Sequence, residues 1–229
     1  EASDTSSKYI SDALTTEIEE SRGDTFAHTT QFYANYQHTF GQDHNLSAMI
    51  GYENYWYQEG TILAGNTSVS HSLIPDLDAG NSDGTTAKSK DVNELARRSY
   101  FARLMYNYRS KYYIQGNIRR DGSSRFAPDC RWGTFLSASA GWVFTEEKFM
   151  EGARKVLDHG KLRLSYGELG NERIKGYYPY QAVLANNNVV GYNGSTLTAL
   201  SGYAQAAAVV TDITWETTST IDIGVDLSM

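Results

Sequence analysis

Apolar and polar residues alternate with a period of two in several separate stretches of this chain. That period puts successive side chains on opposite faces of a strand. From Thr25 to Phe40, Phe26, Phe32, Ala34, Tyr36 and Phe40 share one face, and Ala27, Thr29, Gln31, Asn35 and Gln37 share the other. The pattern returns at about Leu46 to Tyr57, where Leu46, Ala48, Ile50, Tyr52 and Trp56 lie on one side. It predicts a third strand at Arg97 to Tyr108 and a fourth at Tyr112 to Arg119. In the third, Tyr100, Ala102, Leu104 and Tyr106 oppose Arg103 and Asn107. In the fourth, Tyr112, Ile114 and Ile118 oppose Gln115, Asn117 and Arg119. A fifth strand, Trp132 to Phe144, sets Leu136, Ala138, Ala140 and Trp142 against Ser137, Ser139 and Gly141. A sixth, Lys161 to Gly167, and a seventh, about Thr218 to Ser228, continue the alternation. Residues 1–23 read as a loop or loose strand end. Thr145 is expected to cap a helical turn at Glu146 to Met150.

The connections carry as much information as the strands. In chain order they read short, long, short, medium, short and long. The two long ones, about 59–96 and 168–214, are polar and rich in Ser, Thr, Asn and Gly. Successive antiparallel strands place alternate connections at opposite ends, so the short ones fall at one end and the longer ones at the other. That is the layout of an outer-membrane β-barrel, with short periplasmic turns and long extracellular loops. One strand face is apolar and aromatic, as lipid requires; the other carries Arg, Lys, Asp, Asn and Gln, as a wet lumen requires. The expected fold is all-β, an antiparallel transmembrane barrel segment of about seven strands. Seven cannot close alone, because bacterial single-chain barrels have an even number. The chain therefore reads as a fragment of a larger barrel.

Composition sharpens this picture. The 229 residues include 17 Tyr and only 3 Pro, which favours strands. The mean hydropathy of −0.49 and the lack of a long apolar run exclude a transmembrane helix but not a transmembrane barrel. A net charge of −7 argues against nucleic acid as a partner. The single Cys130 cannot form an internal disulfide. The five His residues lack ligand spacing, and Asp76-Leu-Asp78 with Asp83-Gly84 fails the calcium-loop pattern at Ala87. No nucleophile, base and oxyanion donors assemble, so no catalytic residue, metal site or cofactor site is assigned, and no enzyme is expected.

The segment Tyr100 to Trp142 carries a specific order of parts. Its loop, Arg119, Arg120, Asp121, Gly122, Ser123, Ser124, Arg125 and Phe126, is followed by Arg131-Trp-Gly133. Further on come Glu146-Glu-Lys-Phe-Met150, Lys161 to Gly167, Leu169-Gly-Asn171, Trp215-Glu-Thr-Thr218 and Ile223-Gly-Val-Asp226. Together these resemble the barrel of SusC/RagA-type TonB-dependent outer-membrane transporters. One departure is Leu136, where the family more often has Pro after the aromatic residue.

The resemblance implies a cell outer membrane location in a Gram-negative, Bacteroidetes-like host. It implies an N-terminal plug domain, absent from this chain, and import of glycans (oligosaccharides) or peptides driven through the TonB complex. It also implies a SusD-like surface lipoprotein partner and contact with outer-membrane lipid. Strand parity makes Arg103, Asn107, Gln115, Asn117 and Arg119 the lumen-facing candidates. The basic cluster of Arg119, Arg120, Arg125 and Arg131 reads as a solvated loop paired with Asp121 or Asp129, or as a rim for anionic sugar or lipopolysaccharide phosphate. The alternative is a soluble β-sandwich acting as a carbohydrate-binding module, in which the apolar face would be core.

Overall fold

The computed structural model describes residues 2–12, 15–67, 76–79, 82–152, 156–174, 176–193, 196–206 and 208–228. Ten strands are defined among them: β1 (Ala2–Asp12), β2 (Thr15–Phe40), β3 (His44–Asn66), β4 (Thr85–Tyr108), β5 (Tyr112–Ser123), β6 (Trp132–Val143), β7 (His159–Asn171), β8 (Leu184–Asn193), β9 (Thr196–Gln205) and β10 (Glu216–Ser228). The only helical elements among the described residues are short 3₁₀ turns. The chain divides into two units, Glu1–Thr30 with Asn54–Ala96, and Gln31–Glu53 with Arg97–Met229.

In the first unit the strand order is β1, β2, β3, β4. β1 pairs antiparallel with β2, from Ala2 opposite Thr25 to Asp12 opposite Thr15. Ala2–Asp12 is thus a full strand paired with Thr15–Thr25, where a loop or loose strand end was expected. Likewise β3 continues to Asn66 and β4 begins at Thr85, so much of the expected 59–96 loop is strand. These stretches lack a continuous apolar stripe, so the period of two is hidden while the backbone ladder forms regardless. Asn66 is buried and closes the connection: its Nδ2 donates to the Leu77 carbonyl at 3.1 Å. Asp76 Oδ1 accepts the Asp78 N–H at 3.2 Å, an Asp-based turn of the kind its composition favours.

In the second unit the order is β2, β3, β4, β5, β6, β7, β10, with β8 and β9 forming a separate two-stranded sheet within the expected 168–214 connection. Register fixes the two faces. Tyr106 lies opposite Ile114, Ile114 opposite Ala140, Ala140 opposite Leu164, and Leu164 opposite Ile223. One apolar row therefore crosses five strands. These side chains are not covered: Ile114 is 61% exposed, Leu164 51% and Ile223 71%. A soluble sandwich would bury such a face as core. An exposed apolar face this broad requires a nonpolar surrounding.

The turn between β4 and β5 takes three residues, with Arg109 and Ser110 both left-handed at φ 54° and 55°. Asn107 Oδ1 accepts the Ser110 N–H at 2.8 Å. Asp43, in the neighbouring turn between β2 and β3, holds the Arg109 guanidinium at 2.8 Å and accepts its backbone N–H. The β6–β7 connection, residues 144–158, falls within a residue or two of the 145–160 expected from the strand ends. It is shaped by two 3₁₀ turns, Phe144–Glu146 and Lys148–Met150. Thr145 does not cap a helix there. It is buried, and its hydroxyl accepts the Gly160 N–H at 3.0 Å.

Candidate functional site

The polar face of the second unit holds a connected set of side chains. Arg103, Asn117 and Ser137 lie in one cross-strand row on β4, β5 and β6. Arg103 Nε donates to Asn117 Oδ1 at 2.8 Å, and Asn117 Nδ2 donates to Ser137 Oγ at 2.9 Å. Gln115 reaches the same Asn117 oxygen at 3.4 Å. Two residues along β5, Arg119 Nε bonds both Asp121 carboxylate oxygens, at 2.8 and 2.9 Å. Its Nη2 donates to Ser99 Oγ at 2.9 Å and lies 3.5 Å from Glu53 Oε1. Glu53 also accepts from the Gln31 amide. The Arg119 guanidinium lies over the Phe101 ring, and that ring lies where Gly51 has no side chain.

These groups line a concavity of about 730 Å³ that contains Glu53, Arg97, Arg103, Asn117, Arg119, Asp121 and Glu172. Arg97 pairs with Glu172 at 2.8 Å. Arg97 and Arg119 are each paired with a carboxylate, and Arg103 is held by the neutral Asn117 amide, the kind of partnering that lets polar side chains tolerate partial burial. Such a wall can offer both donors and acceptors to a polar solute. Among the described residues, no group of three or more His, Cys, Asp or Glu side chains is placed to hold a metal.

Of the five residues assigned to this face from parity, Arg103, Asn117 and Arg119 line the concavity. Gln115 lines a smaller one, of about 320 Å³, with Lys161 and Arg163. Asn107 serves its turn instead. Sequence reasoning missed Glu53, Arg97, Ser99 and Glu172. Glu53 was legible in principle, since it has the opposite parity to Tyr52.

The motif loop that begins at Arg119 has a structural logic. Ser123 N–H donates to the Arg131 carbonyl at 3.2 Å, and Phe126 N–H to the Ser123 carbonyl at 3.3 Å, so the loop folds back on itself. Phe126 is 1% exposed and packs on Trp215, with ring centroids 5.4 Å apart. Trp215 also meets Phe135 at 5.5 Å, and its Nε1 donates to the Arg131 carbonyl at 2.9 Å. The Tyr180 hydroxyl donates to the Ser124 carbonyl, and Arg125 to the Ile174 carbonyl. The loop thus fastens the segment after β7 and the approach to β10 onto β5 and β6. Of the four arginines in the basic cluster, Arg119 finds the expected partner, Asp121; Asp129 is paired with none of them among the described residues.

Phe135 explains a local opening of the sheet. The β6–β7 ladder stops at Ser137 opposite Gly167, although both strands continue. The Phe135 ring lies over Gly170, where a Cβ would come within 2.0 Å of it. The Leu136 N–H, released from the ladder, donates to Glu168 Oε2 at 3.1 Å. A proline at this position would have no such N–H to satisfy; with Leu136, Glu168 supplies the acceptor.

No protein-family model matches the chain. It is 31% identical over 199 residues to TonB-dependent receptor P39 of Formosa agariphila, covering 86% of this chain and 18% of that protein. It is 36% identical over 146 residues to TonB-dependent receptor SusC of Bacteroides thetaiotaomicron, covering 61% of this chain and 14% of SusC. The fold matches solved structures of the RagAB peptide transporter, with a TM-score of 0.78 at 26% identity over 92% of this chain and 22% of that one. The RagAB importer in its closed-closed state matches with a TM-score of 0.79 at 26% identity, over 93% of this chain and 23% of that one. The match thus spans only 14% to 23% of the length of these relatives. Its antiparallel strands, its exposed apolar face and these likenesses make it part of the β-barrel of a SusC/RagA-type TonB-dependent receptor.

Proposed function

We propose that the chain forms part of the wall of an outer-membrane importer, and that it carries no catalytic step. The single observation that carries this reading is the two-faced sheet: an apolar row across five strands on one side, and a hydrogen-bonded polar lattice on the other. The apolar side would meet outer-membrane lipid, and the polar side a water-filled lumen. Arg103, Asn117, Arg119 and Gln115 would then line the path, with Glu53, Arg97 and Glu172 beside them. The connections 67–84, 124–131 and 172–215 would be external.

The cargo would be an oligosaccharide or a peptide. SusC is among the relatives, and RagAB is a peptide transporter. The mixed donor and acceptor lining suits either cargo, since both present amide or hydroxyl groups. Energy would come from the TonB complex, and a SusD-like lipoprotein would close over the external end. The relatives come from Formosa and Bacteroides, which supports a Gram-negative, Bacteroidetes-like host.

The test is fractionation of the full-length receptor, run on gels with and without prior heating. Recovery in the outer membrane with heat-dependent mobility is the expected result. Recovery in a soluble fraction without a mobility shift would overturn the reading. On the same samples, Arg119→Ala should lower cargo uptake more than cargo capture at the cell surface; equal uptake would remove the lattice from the path.

A further inference from the structure

We propose that the outward face at the longer-loop end of this sheet holds a phosphorylated glycolipid, the lipid A part of lipopolysaccharide. The inference rests on the outer-membrane reading above and adds a ligand site to the wall.

The apolar face is interrupted at this end by two cations. Arg98 lies opposite Gly122, and Tyr100 lies opposite Arg120, so the two arginines are diagonal neighbours on β4 and β5. Such positions stand about 7–8 Å apart at the backbone, within reach of one phosphate for side chains as long as arginine. Both are exposed, and neither has a carboxylate partner among the described residues. This contrasts with Arg119, Arg103 and Arg163 on the other face, each of which is held by an acceptor. Two unneutralised guanidinium groups on a lipid-facing surface call for an anion, and phosphate suits their planar donor geometry.

Arg120 is also pre-positioned. Its guanidinium lies 5.6 Å from the Trp132 ring centroid. Trp132 itself lies against Gly122, where a Cβ would come within 2.9 Å of the ring. Tyr100 continues the row at 5.9 Å from Trp132, and Tyr52 at 5.3 Å from Tyr100. Aromatic rows of this kind mark the level of lipid headgroups.

Directly below runs an apolar trough of about 610 Å³. Ala34, Ile50, Ala102 and Ile118 line it together with Arg120. The trough therefore offers hydrocarbon packing and one cation, Arg120, with Arg98 its diagonal neighbour on β4. A phosphorylated, multiply acylated glycolipid matches both. The arginines sit at the end that carries the 124–131 loop, the external end in the reading above, so the occupant belongs to the outer leaflet.

The test uses the purified full-length receptor in phosphatidylcholine nanodiscs, titrated with fluorescent lipopolysaccharide, its dephosphorylated form and phosphatidylglycerol. The wild type should bind lipopolysaccharide about tenfold or more tightly than the dephosphorylated form, the loss expected for one or two charge-assisted contacts. A double Arg98→Gln, Arg120→Gln variant should lose that preference, and Ala34→Leu with Ala102→Leu should weaken binding of both forms. Equal binding of the two forms by the wild type would overturn the proposal, whether or not the variants fold. Equal preference for phosphatidylglycerol would overturn the assignment to lipid A. Heat-dependent gel mobility of the same samples separates the two levels: a heat-modifiable barrel without the preference sinks only this inference.

Discussion

Replacing Gly170 by Ala should destabilise the barrel through a single contact, that with Phe135. A Cβ at Gly170 would come within 2.0, 2.4 and 2.5 Å of three Phe135 ring atoms. Nonbonded carbons rest at about 3.5–4.0 Å, so the ring must move by more than about 1 Å. It has little room to do so. The ring also lies against Gly133, where a Cβ would come within 2.6 Å of it, and Trp215 packs beside it. Overpacking of this kind costs about 1–3 kcal/mol. Phe135→Ala alone empties a site only 6% exposed and should cost about 3–5 kcal/mol. In that background the Gly170→Ala methyl meets no ring, and its added cost should fall to near zero. The coupling between the two changes is therefore about 1–3 kcal/mol. The assay is urea unfolding of the full-length receptor in lipid vesicles, followed by the heat-dependent gel mobility of the folded form. Additive costs in the double variant would refute the proposed packing of Phe135 on Gly170.

Two further changes test the turns at the opposite end. Ser110→Gly should stabilise the receptor by up to about 1 kcal/mol, because Ser110 has φ 55° and glycine enters that region without strain; a lowered urea midpoint would contradict this. The Glu147 carboxyl is held below the ordinary carboxylate range by the Tyr112 hydroxyl, and secondly by the Trp142 indole N–H. Its contribution is complete above the ordinary value of 4.5 and is lost as pH falls through the lowered one. Between about pH 5 and pH 3 the wild type should therefore lose more stability than Glu147→Gln; parallel pH profiles would show that the bonds add nothing.

The strands of the second unit were legible because each has one apolar face. Tyr100 to Tyr106, Ile114 to Ile118 and Leu162 to Tyr166 alternate cleanly, and the register of β4 through β7 and β10 follows that alternation. Strand segments without such a face were not legible. Residues 59–66, 85–96, 184–193 and 196–205 are polar or mixed, and their pairing rests on backbone hydrogen bonds that leave no mark in the side-chain pattern. The polar lattice was half legible: parity names Arg103, Asn117 and Arg119, but only register brings Glu53 and Ser99 to the same guanidinium. The opening between β6 and β7 was hidden as well. Nothing local to Phe135 says that its ring will lie on Gly170, a residue far along the chain.

The central claim is that odd and even positions of β5 face water and lipid respectively. Single cysteines placed at positions 114 to 119 of the full-length receptor, in a Cys130→Ser background, test it directly. A membrane-impermeant maleimide small enough to enter the pore should label the variants at Gln115, Asn117 and Arg119. Lipid-borne nitroxide should quench probes at Ile114, Gly116 and Ile118. Alternating reactivity with a period of two is the predicted result. Uniform labelling along β5, or lipid quenching at Gln115, Asn117 and Arg119, would contradict the account.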